Sequence, residues 1–273
     1  MSLIRRTRTC PPPATRLLAT ALAAASLFTD AASAAPTVIP DGSPASVSNA
    51  TATIALDTDS SSRDELDDWF INGLDHLFST RWGVRTNGTT DDFDGPSVVT
   101  ADDVTDTLVI TGSRTGFDYA IQYVLAPDGL SIEESITVTN TGNAAADFRV
   151  FVRTDYDLAG GSSGELGSFD DTTQTFTQTD PANPQFTATW TANDPISGWQ
   201  MPADSISPIL DTLPNSNTPE GPRDITFIVS FDADNLGAGE SVAFSTTKAI
   251  EIPEPGSLAL LALGGLLIAR RRR

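Results

Sequence analysis

Clustered carboxylates are the side chains best placed, by number and spacing, to do chemistry in this chain. Asp91-Asp92-Phe93-Asp94-Gly95 has part of the pattern of a calcium loop, with Asp92 and Asp94 as candidate ligands. An EF-hand loop needs an oxygen ligand at its first position and a bidentate Glu at its twelfth. Those positions are Thr90 and Ala101, so the pattern is incomplete. Asp232-Ala233-Asp234 is interrupted in the same way, by Leu236 at the fifth position. Both segments read as solvated acidic loops that hold Ca²⁺ loosely at most. A different arrangement lies between them. Arg149, Arg153, Asp155 and Asp157 sit at even spacing, so in a strand they share one face. Neighbours two apart there lie about 7 Å from one another. Such a face is either an ion ladder or a polar groove for a sugar or a carboxylate.

Other reactive residues are sparse. The only histidine is His76 and the only cysteine is Cys10. A Ser-His-Asp triad would have to use His76, and no nucleophile signature accompanies it. Zinc fingers, cysteine redox chemistry and a disulfide framework are excluded for the body of the chain. No residue is assigned as catalytic, and the chain reads as a non-enzyme that needs no cofactor. Trp69, Trp82, Trp190 and Trp199 are candidates for a sugar-stacking platform or for core packing. Glu134 is out of pattern, because it falls on the apolar face of its strand. Either a bulge shifts the register there or Glu134 pairs with an arginine.

The elements that must position these groups read as β. Phe117, Tyr119, Ile121, Tyr123 and Leu125 alternate with polar residues, as do Leu130, Ile132, Ile136 and Val138. Pro127-Asp128-Gly129 turns the chain between them, with proline presetting φ and glycine taking the left-handed position. Leu108 and Ile110 precede this pair, and Phe148, Val150 and Val152 follow the loop at Asn140 to Asn143. The pattern predicts a four-stranded antiparallel meander. Ile225 to Phe231 and Val242 to Thr246 are two further strands, and six prolines between Asp194 and Asp224 predict an irregular connection. One short helix is expected from Ser62 to Phe70, on a capping box of Ser62 and Glu65 with Leu66 and Phe70 four apart. The expected fold is all-β: a single antiparallel β-sandwich, Ig-like or of mutarotase type, over residues 51–250.

Charge is unevenly divided. The 273 residues include 36 acidic and 16 basic ones, for a net charge of −20. Eight arginines lie in the terminal segments, so residues 35–250 hold 33 acids against 8 bases, or −25. A body of that sign excludes nucleic acid as a partner, because phosphate must be neutralised by basic residues.

Both ends read as addresses. Arg5, Arg6, Arg8 and Arg16 precede a short apolar stretch from Leu17 to Phe28, and Ala32-Ser33-Ala34 is a small-residue cleavage site. Residues 1–34 are therefore a signal peptide with a signal helix, cut after Ala34. Residues 35–50, rich in Pro, Ser, Ala and Asn, are expected to be a disordered leader. At the other end, Pro253-Glu254-Pro255 is followed by an apolar run to Ala269 and by Arg270, Arg271, Arg272 and Arg273. A helix over 256–269 would be about 21 Å long. That is short against a hydrocarbon core of about 30 Å. The layout is a temporary stop-transfer helix with a rigid, cleavable segment just outside it, and its arginines stay cytoplasmic.

This tail, residues 251–273, resembles the PEP-CTERM sorting signal of exosortase substrates, which is also catalogued as an ice-binding-protein C-terminal domain. The resemblance implies export by the secretion machinery and signal peptidase. It further implies transient anchoring in the inner membrane and cutting by an exosortase-type membrane protease. The destination is the cell surface or the exopolysaccharide-rich extracellular matrix. The body's activity is outside the resemblance. A glycan-binding module and a polysaccharide hydrolase or lyase stand as alternatives to a surface protein without catalysis.

Overall fold

The computed structural model describes residues 36–39, 43–57, 65–93, 97–161, 164–201, 213, 215–217 and 224–252. The signal segment, Asp94, the sorting residues Pro253 to Pro255, the expected helix 256–269 and Arg270 to Arg273 lie outside the described residues. Within them the chain is built of strands. The first half supplies β1 (Thr37–Ile39), β2 (Ala45–Ser48), β3 (Ala52–Asp57), β4 (Glu65–Ile71), β5 (Leu74–Asp75) and β6 (Ser79–Thr86). It continues with β7 (Thr89–Asp91), β8 (Val98–Asp102), β9 (Thr107–Arg114), β10 (Phe117–Leu125), β11 (Ser131–Asn140) and β12 (Ala146–Asp155). The second half supplies β13 (Leu166–Asp170), β14 (Thr175–Thr179), β15 (Thr187–Ala192), β16 (Gly198–Met201) and β17 (Ser216–Asn217). It closes with the long strands β18 (Thr226–Leu236) and β19 (Ser241–Glu251).

These strands form two sheets. One runs β1-β8-β9-β10-β11-β19-β15-β14-β13, and the other runs β17-β16-β18-β12-β6-β4-β3-β2 with β5 and β7 at its side. Pairing is antiparallel except between β16 and β17. The expected sandwich is therefore present, and its core lies between the sheets. β10 shows why. Phe117, Tyr119, Ile121, Tyr123 and Leu125 are buried while Asp118 and Gln122 are exposed, so one face is apolar and must be covered. Rings fill the centre: Phe176 stacks on Phe227 at 4.1 Å, and Trp190 meets Phe227 edge-on at 5.6 Å. The predicted Pro127-Asp128-Gly129 turn is also seen. Gly129 has φ of +73°, a Cβ there would lie 2.7 Å from the Ala52 Cβ, and its carbonyl accepts the Trp69 indole N–H at 3.2 Å.

Four expectations are corrected. The helix from Ser62 to Phe70 is strand β4 wherever that segment is described. A bulge decides which of its residues face inward. Ala55 pairs with Asp68 and Leu56 with Leu66, leaving Asp67 as the extra residue. Leu66, Trp69 and Ile71 consequently face the core, while Phe70 points outward. The four-stranded meander is β8 to β11 and does not include β12, because the loop after Asn140 carries β12 into the opposite sheet. Residues 37–39 and 45–48 of the expected disordered leader are edge strands, β1 on β8 and β2 on β3. Finally, Glu134 sits in an unbroken register and pairs with Lys248, not with an arginine.

Candidate functional site

One end of the β12–β18 pair gathers the carboxylates. Asp155 is the last residue of β12, opposite Thr226 on β18 and Ser79 on β6. Two further residues along that antiparallel register bring Asp157 opposite Asp224. Among the described residues, Asp155, Asp157 and Asp224 form a group whose ligating oxygens all lie within 4.8 Å of one another. Like charges placed directly opposite on neighbouring strands repel, so nothing in the sheet itself favours the arrangement.

Among the described residues, a single guanidinium answers the cluster. Arg153 Nη2 donates to Asp155 Oδ2 at 3.1 Å, and its Nη1 donates to Ser79 Oγ at 3.2 Å. Asp155 is 4% exposed, and its other oxygen, Oδ1, receives no hydrogen bond. Burial pushes the Asp155 carboxyl up to about 6; Arg153 opposes the rise, and Asp224 and Asp157 add to it. The Asp157 carboxyl is raised by burial and then by Asp224 and Asp75.

Two neutral groups stand behind this end. His76 is fully buried, packs edge-on against Phe186 at 4.7 Å, and accepts the Ala159 N–H on Nδ1 at 3.3 Å. Burial lowers the ring to about 4, so it is uncharged at neutral pH. It is a structural histidine, held by the chain turning back at Leu158–Gly160. Glu165, also fully buried, accepts the Ile225 N–H on Oε2 at 3.2 Å, and burial pushes it up to about 8.

The ladder of Arg149, Arg153, Asp155 and Asp157 is divided. Arg149, Arg153 and Asp155 share the outward face of β12, and Asp157 lies just beyond the strand. Phe151 separates the charges, buried there with Leu213 and Ile228. Arg149 belongs to the opposite end, where its Nε and Nη2 donate to Asp232 at 2.6 and 3.0 Å. That ion pair borders a groove of about 360 Å³ lined also by Arg85, Asn87, Asp147 and Asp234. The Asp91 to Gly95 segment does not open as a calcium loop in its described part. Asp91 accepts Arg114 Nε at 3.2 Å, and Phe93 turns into the core and stacks on Tyr119 at 4.0 Å. All four tryptophans are buried, which removes the stacking platform from the surface.

Sequence reasoning missed Asp224, Glu165 and Lys248. Lys248 had a signal: it is the only lysine in the chain and falls in step with Phe244, Thr246 and Ile250. Asp224 had none, because its place depends on which strand lies beside β12.

Comparison with known proteins separates address from body. The PEP-CTERM protein-sorting motif matches residues 251–273. No curated protein matches the sequence. Among solved structures, a bacterial glucoamylase complexed with acarbose is similar at TM-score 0.56 and 9% identity. The similarity covers 82% of this chain but only 34% of that one. A protein from Synechocystis sp. reaches 0.51 at 9% identity, over 78% of this chain and 97% of its own. Aspergillus nidulans amine oxidase reaches 0.51 at 9% identity, over 73% and 50%. At these identities the likeness is one of fold alone. Among the described residues no helix is long and apolar enough to cross a membrane.

Proposed function

We propose that this chain is an exported surface or matrix β-sandwich without catalytic activity, delivered through an exosortase-type pathway. The sorting motif carries the reading. It begins at Glu251, the last residue of β19, so the address follows the fold with no intervening linker. In this reading signal peptidase cuts after Ala34, the tail anchors the protein briefly in the inner membrane, and the membrane protease releases it. The net charge of −25 over residues 35–250 keeps the released body soluble and self-repelling among polysaccharide chains. Intact mass spectrometry of the extracellular form is expected to show a start near Ala35 and loss of Arg270 to Arg273. Deleting residues 253–273 should strand the protein before the surface. A full-length chain retained in the cytosol would overturn the proposal.

A second reading, a glycan-binding module, is favoured by the groove around Arg149 and Asp232. Its charged and amide groups are the donors and acceptors that sugar hydroxyls and carboxylates need. On that reading Arg149→Ala weakens binding of an acidic exopolysaccharide fragment at least tenfold, measured by calorimetry. No binding tighter than millimolar, or no effect of the substitution, counts against it. The hydrolase or lyase alternative has less support. Glycosidase carboxyls stand about 5–9.5 Å apart with a sugar between them. The three carboxylates here are closer, and Asp155 is tied to Arg153.

A further inference from the structure

We propose that Asp155, Asp157 and Asp224 form a Ca²⁺ site that bolts the end of β12 to the start of β18. Two independent observations meet there. The first is spacing. Ca²⁺ holds its oxygen ligands at about 2.3–2.6 Å, so two ligands of one ion lie no more than about 5 Å apart. One oxygen from each carboxylate satisfies that limit, all three lying within 4.8 Å of one another. Mg²⁺ demands near-octahedral geometry and gives up its waters reluctantly, so three carboxylates fixed by the fold suit Ca²⁺ better. The second is an orphaned atom. Asp155 is 4% exposed and its Oδ1 has no donor, although Oδ2 is taken by Arg153. A buried carboxylate oxygen without a partner is costly, and so its place beside two other carboxylates calls for a cation.

Charge and chemistry select the ion. Among the described residues, Asp155, Asp157 and Asp224 are faced by one cation, Arg153, and Asp75 adds a further negative charge close to Asp157. The excess is two or three negative charges, which suits a divalent ion. All the side-chain donors are hard oxygens. His76, the only imidazole, is not a member of the group, so the set holds no zinc-type nitrogen ligand. Asp157 and Asp224 lie just outside the strands and Asp224 is exposed, so the remaining ligands are backbone carbonyls or solvent. Such a site has the character of extracellular modules, with dissociation constants of about 10⁻⁴–10⁻³ M. It is distinct from the acidic stretch at Asp92 and Asp94, and from Asp232 and Asp234, which lie on β18 and not in the loop expected for them. It is also independent of the sorting proposal, since it rests on residues of the body alone.

Calorimetric titration of the purified chain with CaCl₂ after EDTA treatment tests it, alongside thermal melts. The expected result is one saturable site and a rise of several °C in Tm at 10 mM Ca²⁺, beyond that given by NaCl of equal ionic strength. Asp224→Asn should weaken the site at least tenfold. Because Asp224 is exposed and repelled by its neighbours, the same substitution should leave the Tm in EDTA unchanged or higher, so lost binding is not lost folding. Asp232→Asn, at the other end, should bind as the unaltered chain does. Equal titrations for the unaltered chain and Asp224→Asn, or a melt response no larger than that to NaCl, would overturn the proposal. So would a response to Mg²⁺ matching that to Ca²⁺.

Discussion

Lys248→Met is expected to destabilise the sandwich by about 3–5 kcal/mol, the usual cost of leaving a buried charge without its partner. Lys248 and Glu134 are both fully buried, on the core faces of the neighbouring strands β19 and β11. Glu134 Oε2 accepts from the Lys248 ammonium and from Thr246 Oγ1, the latter at 3.1 Å. Burial pulls the Lys248 amine below its usual value, and Glu134 opposes that fall. Removing the lysine strands a carboxylate beside Tyr156, whose hydroxyl burial, and after it Glu134, already make harder to ionise. Glu134→Leu should cost as much, by stranding the ammonium. The double variant is the informative one. With both charges gone, the desolvation penalty disappears with the attraction, and such replacements are often neutral or stabilising. The Thr246 hydroxyl loses its acceptor, at about 1 kcal/mol. The double variant should therefore unfold close to the unaltered chain in urea. Additive losses in the double-variant cycle would show that packing, and not charge, makes these positions sensitive.

Glu134 also marks how far this fold can be read from sequence. Period-2 alternation located β10, β11, β18 and β19, because each buries one face against one core. It identified Glu134 as out of place for the same reason. It did not supply the partner, because strand adjacency is decided by the whole sheet. β19 lies between β11 and β15, far from both in sequence. The β4 helix expectation failed for a local reason: it joined Leu66 to Phe70, four apart, whereas the bulge at Asp67 sets Trp69 and Ile71 beside Leu66 on the core face and turns Phe70 outward. The acidic end shows both limits together. Even spacing puts Asp155 and Asp157 on one side of an extended chain. Asp224 joins them only through the β12–β18 register. Arg149, assigned to the same ladder, is cut off by Phe151, whose cover comes from Leu213 and Ile228.

Two buried groups at this end, Glu165 and His76, should pull the pH dependence of stability in opposite directions, and the raised Asp155 carboxyl acts in the same sense as Glu165. Burial raises Glu165 to about 8, above its ordinary 4.5, so the fold prefers it protonated. That preference favours folding fully below pH 4.5 and is lost as the pH rises to about 8. Burial lowers His76 to about 4 from 6.5, so the fold prefers it neutral. Its contribution is complete above pH 6.5 and is lost as the pH falls to about 4. At about 1.4 kcal/mol per pH unit, the ranges amount to roughly 5 kcal/mol for Glu165 and 3 kcal/mol for His76. Between pH 4.5 and 6.5 the two slopes are equal and opposite, so their joint contribution is flat there. Single variants separate them. Glu165→Gln keeps an acceptor for the Ile225 N–H and a donor in place of the acid proton. Its stability relative to the unaltered chain should climb from pH 4.5 to 8, reaching a gain of several kcal/mol. His76→Gln, which keeps an acceptor for the Ala159 N–H, should gain in the other direction, from pH 6.5 down to 4. Urea midpoints measured across this range in EDTA keep the carboxylate cluster free of divalent ions while the two limbs are compared. A stability difference that stays constant with pH, for either variant, would mean that the group keeps its ordinary pKa in the fold. The charges at this end would then be solvated, not confined.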